Sequence, residues 1–569
     1  MAPSLPGRRC SRRTYPIPPS DLFIAFRSSA WGTRRIRSVR VPVVRPLYDR
    51  RVAVTETLDP PAEKPAARPS LRYRLATGLP TDQAWSWLWT GLVALLALVL
   101  RLVGLGTPGT KIFDEVYYAK EAHDLLQAGV ELNKEGDGPG YVVHPPLGKW
   151  MIALGEHVYG YNALGWRISA ALIGALSVLL LARIARRMFG STLLGCVAGL
   201  LLALDGLHFV MSRVALLDIF LMFWLLVAFG CALLDRDSTR TWLLRKAETG
   251  ADLTATAGTR VPWWRIAMAV SAACALGVKW SATWYIVALF GIAFWWAVQA
   301  RRTAGVERPF VDTLARETGW FVLCGVLLLG IYLSTWTGWF LSDDGWNRHG
   351  DPWPGPAWLP SALGNLWEYH KHAYEFHTGL HAKHDYQSTP WSWLFLGRPV
   401  AYYYSSDGGC GAENCSAEVL ALGNPLIWWA FIPALVMTGW RWLARRDWRA
   451  GAILLMSLGA GIIPWTFYPT RTMFFFYTLP ALPFLVLAVT LGLGMVLGPG
   501  ALPRTEAVPD RVRLMEPVTD RDRRLVGAVA VASYLLVVAV TFAYFYPIYT
   551  GEQLTYESWH SRMWFDSWI

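Results

Sequence analysis

Phe113-Asp114-Glu115-Val116-Tyr117-Tyr118-Ala119-Lys120 follows the first long apolar run of this chain, and His144-Pro145-Pro146-Leu147-Gly148-Lys149 lies in the same loop. A carboxylate pair where an apolar helix meets water adds little to packing, but it suits proton transfer. Neighbouring residues on a helix point about 100° apart, so the two acids cannot meet one substrate in the same way. We expect Asp114 to be a general base for a hydroxyl nucleophile and Glu115 an orienting carboxylate. The plainer alternative is that they are solvated acids opening a loop helix, or that they pair with Lys111 and Lys120.

Isolated cations stand at the ends of other apolar runs: Arg213 in Ser212-Arg213-Val214-Ala215-Leu216-Leu217-Asp218, Lys279 in Val278-Lys279-Trp280, and Arg471 in Tyr468-Pro469-Thr470-Arg471. Each alone could snorkel to the interface. Three on one face suit a phosphate pocket, because a cation at membrane depth usually faces a cavity and a partner. Asp205 and Asp218 are the expected partners of Arg213. A lipid-linked phosphate fits this pattern, with its chain in the bilayer and its head group at the cations, which also stabilise a departing phosphate. His144 and Lys149 are weaker candidates for the same phosphate, on a stretch that Pro145-Pro146 holds extended.

A later hydrophilic segment carries His370, His372, His377, His381 and His384, then Tyr386-Gln387-Ser388-Thr389-Pro390-Trp391-Ser392-Trp393. On a continuous helix His377, His381 and His384 would share a face, which permits a metal. No metal-protease signature accompanies them. We therefore assign His381, His384, Tyr386 and Trp391 to substrate positioning and cavity closure, with surface histidines or a metal as the alternatives. For Cys410 and Cys415 a short-loop disulfide is the leading reading in an oxidising exterior. A two-thiolate metal site there would need further ligands.

These residues must be positioned by membrane helices. The 569-residue chain is 54% hydrophobic and only 17% charged, against roughly 25% charged in ordinary soluble domains. Eleven spans fit best, at about 88–106, 163–183, 192–209, 215–234, 263–279, 281–299, 318–337, 425–443, 450–467, 473–497 and 525–546. Continuous rather than alternating apolar runs predict an all-α polytopic membrane protein. With the Arg-rich N-terminus inside, the Arg-rich turns after spans two, four, six, eight and ten all fall inside, as the positive-inside rule requires. Two large extracytoplasmic loops then result, 107–162 with the acid pair and 338–424. All eleven histidines fall on that side or at the outer span ends. The net charge of +12 is accounted for by this asymmetry and implies no nucleic-acid partner. Residues 1–87 read as a basic, mostly disordered cytoplasmic tail able to attract anionic membrane lipids, 88–546 as the transmembrane catalytic domain, and 547–569 as an extracytoplasmic tail. A lipid-linked-anion transporter is the rival class, but no internal repeat favours it.

Taken in order, these pieces resemble the protein O-mannosyltransferases. The resemblance rests on Phe113-Asp114-Glu115-Val116 with Lys120, His144-Pro145-Pro146-Leu147 with Lys149, and Ser212-Arg213 with Leu216-Leu217-Asp218. It continues through Gly277-Val278-Lys279-Trp280, Tyr386-Gln387-Ser388 with Pro390-Trp391, and Arg471 followed by Phe474, Tyr477 and Leu479-Pro480. It implies a GT-C fold of about 11 transmembrane helices and transfer of mannose, with inversion, from polyprenyl-phosphate-mannose to Ser or Thr of an exported polypeptide met near the secretion translocon. It also implies Asp114 as the base and no metal or other cofactor. The 338–424 loop, about 87 residues, is too short for the MIR domain of the eukaryotic enzymes. The chain thus resembles the short bacterial forms, its Ala-, Arg- and Trp-rich composition suits an actinobacterium, and the plasma membrane is the expected location. A related glycosyltransferase acting on a lipid or cell-wall glycan is the nearest alternative.

Overall fold

The computed structural model describes residues 70–569 except 79, 351–355, 357, 359 and 499–519. Most of the expected basic tail, and Arg504, Arg511 and Arg513 of the turn after span ten, lie outside the described residues. Within the expected tail, Leu71–Leu75 forms a short helix capped by Ser70. Leu75 is buried against Leu243, Leu253 and Val306, so the Leu71–Leu75 helix is anchored to the bundle.

Nine described helices are long and apolar enough to cross a membrane: Gln83–Leu102, Ala163–Phe189, Asp218–Glu248, Ala282–Ala304, Pro309–Ser334, Pro425–Arg445, Trp448–Phe467, Phe475–Val496 and Arg521–Thr550. Two shorter apolar helices, Thr192–Ala203 and Trp263–Val278, occupy the remaining two expected positions. The expected span 192–209 breaks at Leu204 and resumes as Gly206–Met211. Asp205 imposes this break. Its buried carboxylate caps the new helix through the His208 N–H and accepts from Trp428 Nε1 at 2.7 Å and from the Asn424 N–H, and a mid-helix aspartate could not reach all three. The second short helix ends at Val278, leaving Lys279 extended before the next helix begins at Ala282.

The fold is mostly helical, and the all-α expectation needs one correction. Val400–Ser405 (β1) pairs antiparallel with Cys415–Ala421 (β2), and β2 pairs with Leu554–Thr555 (β3). Val and Tyr in β1 favour a pleated strand, and every residue of β2 is buried. The Cys410–Cys415 disulfide closes the connection between β1 and β2. Replacing both cysteines by Ser is expected to cost about 2 kcal/mol, the loop-entropy value for so short a ring. Thermal unfolding should show a lowered midpoint that reductant shifts in the parent protein and leaves unmoved in the variant. The C-terminal segment packs onto the same sheet, with Trp559 Nε1 donating to Glu418 and Trp568 Nε1 to the Leu396 carbonyl, both at 2.7 Å.

Candidate active site

The two neighbouring acids have opposite environments. Glu115 is fully buried. Its Oε1 accepts from Arg167 Nε at 2.7 Å and the Ala215 N–H at 2.9 Å, and its Oε2 from Arg167 Nη2 at 2.7 Å and the Ile112 N–H at 3.0 Å. Arg167 also donates to the carbonyls of Leu105, Pro108 and Thr110. One guanidinium on the Ala163–Phe189 helix thus ties down the whole segment that delivers Asp114. Phe113 takes a positive φ of 47°, an uncommon backbone state for a bulky residue that surrounding contacts must hold. It stacks on Tyr402 at 4.6 Å and meets Phe474 and Phe476 edge-on.

Asp114 sits at the N-cap of the Glu115–Ala128 helix without capping it through its side chain. Among the described residues its carboxylate takes no hydrogen bond. Burial pushes its pKa up to about 6, with Lys279 pulling down and Asp218 and Glu121 pushing up. Neither acid pairs with Lys111 or Lys120, as the plainer sequence reading had it. Lys111 binds the Tyr161 hydroxyl, and Lys120 pairs with Asp124 at 2.7 Å.

The expected phosphate cations separate into two groups. Arg213 donates to the carbonyls of Arg101, Val103 and Gly104 at 2.8, 2.6 and 2.9 Å, so it caps the end of the first membrane helix. Neither Asp205 nor Asp218 is its partner, which corrects the sequence expectation. Lys149 is fully buried and bound to Glu131 and Glu121, so two carboxylates offset its charge. Arg213 and Lys149 thus both direct their donors to groups of the chain itself.

Lys279 and Arg471 remain. Lys279 pairs with Asp218 at 2.7 Å, and both charges are buried. Arg471 donates through Nε to the His377 carbonyl at 2.9 Å and lies over the rings of Trp465 and Tyr477. It has no carboxylate partner among the described residues, so its charge is uncompensated. His144 stacks on His377 at 5.0 Å, and its buried Nδ1 has no hydrogen-bond partner. Burial, reinforced by Lys279, drives the His144 pKa well below the usual histidine value. His377 falls to about 4, again chiefly through burial. Both rings are neutral at pH 7. His377 contacts the Val143 carbonyl through Nε2 at 2.9 Å, which requires the proton on Nε2.

The single histidine face expected for His377, His381 and His384 does not form, because the Ser361–Gly379 helix ends before the last two. His381 Nδ1 contacts the Thr470 carbonyl at 3.0 Å. His384 lies edge-on to Phe474 at 5.0 Å and beside Tyr386 at 5.9 Å. His381 and His384 therefore border the Thr470–Phe474 segment that carries Arg471, and His384 also meets Phe113 edge-on at 6.5 Å. Trp391 is 70% exposed and does not join them. Sequence reasoning missed Arg167, Asp218 as the Lys279 partner, and Tyr402. The first two carried a usable signal, since a charge inside an apolar run is rarely without a partner.

An acid without a hydrogen bond, near the buried Lys279–Asp218 pair and under the loops of a polytopic helical bundle, suits group transfer at a membrane. Residues 91–337 match the family described as dolichyl-phosphate-mannose-protein mannosyltransferase. Residues 362–568 match the C-terminal four TMM region of protein-O-mannosyltransferase. A polyprenol-phosphate-mannose–protein mannosyltransferase of Mycobacterium tuberculosis is 37% identical over 513 residues, covering 86% of this chain and 93% of that relative. One from Mycolicibacterium smegmatis is 38% identical over 509 residues, covering 86% and 94%. The solved S. cerevisiae protein O-mannosyltransferase Pmt1-Pmt2 complex bound to the sugar donor shares the fold. It has a TM-score of 0.63 at 14% identity and covers 85% of this chain and 92% of that one. The chain belongs to the protein O-mannosyltransferase family, membrane mannosyltransferases of the GT-C fold.

Proposed function

We propose that this chain transfers mannose from polyprenyl-phosphate-mannose to Ser or Thr hydroxyls of exported polypeptides, with inversion, on the outer face of the plasma membrane. The observation that carries the reading is the contrast between Glu115, saturated by Arg167, and Asp114, unbonded with a pKa raised to about 6. A base near that value is ionised at neutral pH yet basic enough to accept a proton in the transition state.

In the proposed step the acceptor oxygen attacks the anomeric carbon while Asp114 takes its proton. The bond from that carbon to the phosphate oxygen breaks, and the electron pair leaves with polyprenyl phosphate. Arg471 stabilises the departing charge, and Lys279, tied to Asp218, adds a second cation nearby. The unpartnered Nδ1 of His144 offers a neutral contact for donor or sugar. His381, His384 and Tyr386 border the acceptor side, and the C-terminal tail shares that exterior face.

Arg471→Gln is expected to raise the KM for polyprenyl-phosphate-mannose by about tenfold or more, since one charge-assisted hydrogen bond contributes about 1.5–3 kcal/mol. The assay is labelled-mannose transfer to a Thr-rich peptide in purified membranes. Unchanged donor kinetics would remove Arg471 from the phosphate site. Label appearing in lipid or glycan with none in peptide would overturn the protein acceptor.

A further inference from the structure

The Asp218–Glu248 helix links two chemically different levels of the bundle. At its first residue Asp218 pairs with Lys279, beside Asp114. Asp237 and Thr241 of the same helix lie about 28–35 Å farther along, at 1.5 Å per residue. That separation matches a hydrocarbon layer roughly 30 Å thick. The far end therefore sits at the head-group level of the leaflet opposite the reacting centre.

A cavity of ≈ 430 Å³ opens there, lined by Arg187, Arg245, Arg260, Ser238, Thr241 and Trp264, among others. Its one lining carboxylate, Asp237, is neutralised twice, by Arg187 Nε at 2.7 Å and Arg236 Nη1 at 3.0 Å. Arg260 pairs with Asp235, which Arg265 also engages. Arg245 is exposed and has no ion-pair partner among the described residues. Guanidinium charge thus exceeds carboxylate charge around the cavity. Thr241 donates its hydroxyl to the Asp237 carbonyl at 2.9 Å and keeps its lone pairs for another donor. Trp263 and Trp264 are 70% and 42% exposed next to it, as befits side chains at a head-group boundary.

We propose that this cavity binds the phosphodiester head group of an anionic membrane phospholipid. Guanidiniums are the preferred partners of phosphate oxygens. Thr241 and Ser238 suit the hydroxyls of a glycerol-type head group, and Leu234, Trp242 and Trp264, also in the lining, give the cavity an apolar wall. Basic pockets between membrane helices hold phospholipid head groups in this way. The site is separate from the donor phosphate site by the thickness of the bilayer core.

The test is thermal unfolding of the full-length protein in detergent, titrated with short-chain phosphatidylglycerol, phosphatidylcholine or inorganic phosphate. Phosphatidylglycerol is expected to raise the midpoint, while the other two leave it unmoved. Arg245→Gln should raise the half-maximal phosphatidylglycerol concentration about fivefold, the usual effect of one basic residue, and Arg245→Lys should restore most of it. Arg302→Gln, an exposed arginine outside the cavity, should change nothing. An equal shift from inorganic phosphate would overturn the lipid assignment. Equal weakening by Arg302→Gln, or no weakening by Arg245→Gln, would overturn the site.

Discussion

Asp114→Asn is expected to lower mannose transfer by about 10²–10⁴-fold, the range removed with a positioned general base, while the protein folds normally. The two halves of this expectation have separate causes. Asparagine keeps the shape of the side chain but cannot accept the hydroxyl proton. The fold is spared because, among the described residues, no group hydrogen-bonds the Asp114 carboxylate, and because burial raises its pKa to about 6. A carboxyl whose folded pKa lies above its unfolded value stabilises the fold at low pH and loses that contribution as pH rises through about 6. At neutral pH the ionised side chain is therefore a cost, so the neutral amide should leave the unfolding midpoint unchanged or higher. In the parent enzyme the rate should climb as pH rises through about 6 and then level off, because only the ionised acid serves as base. The residual activity of Asp114→Asn should lack that limb. Near-parental transfer by the variant would remove Asp114 as the base.

Glu115→Gln should fail differently, by loss of structure. Glu115 and Arg167 are both fully buried, and Arg167 binds both carboxylate oxygens. Removing one charge of such a pair leaves the other unpaired inside, at a cost of about 3–5 kcal/mol. Arg167 would retain its three carbonyl acceptors at Leu105, Pro108 and Thr110, which moderates the loss without cancelling it. We expect a clearly lowered unfolding midpoint and weaker transfer, because the same contacts place Asp114. The remaining activity should keep the pH limb near 6, which separates a positioning acid from a catalytic one. The double variant Glu115→Gln/Arg167→Met should be less destabilised than the sum of its parts. Strict additivity would show that the two groups are not coupled.

The different fates of the cations explain why composition and spacing could not rank them. Arg213, Lys279 and Arg471 look alike as isolated charges at the ends of apolar runs. Only their partners distinguish them: three backbone carbonyls for Arg213, a carboxylate for Lys279, and a carbonyl with two aromatic rings for Arg471. Lys149 looked available because Glu121 and Glu131 lie 28 and 18 positions before it in the chain, and nothing local announces that the fold returns them to it.

By itself the sequence determined the membrane class, the approximate positions of the spans and the choice of the acid pair as the leading candidate, because these follow from local quantities. Twenty-residue hydrophobic length, the side-chain charge of turns and the oddity of Asp114-Glu115 at a helix end can all be read along the chain. Tertiary structure decided which of the two acids is free, which cations keep unspent charge, and that Asp205 breaks the third span. It also decided that Cys415–Ala421, paired on one side with Val400–Ser405, takes Leu554–Thr555 from more than 130 residues away on the other. Those outcomes depend on which groups meet across the bundle. A buried charge or backbone group takes whatever partner the fold brings within about 3 Å, and sequence distance carries almost no information about that meeting.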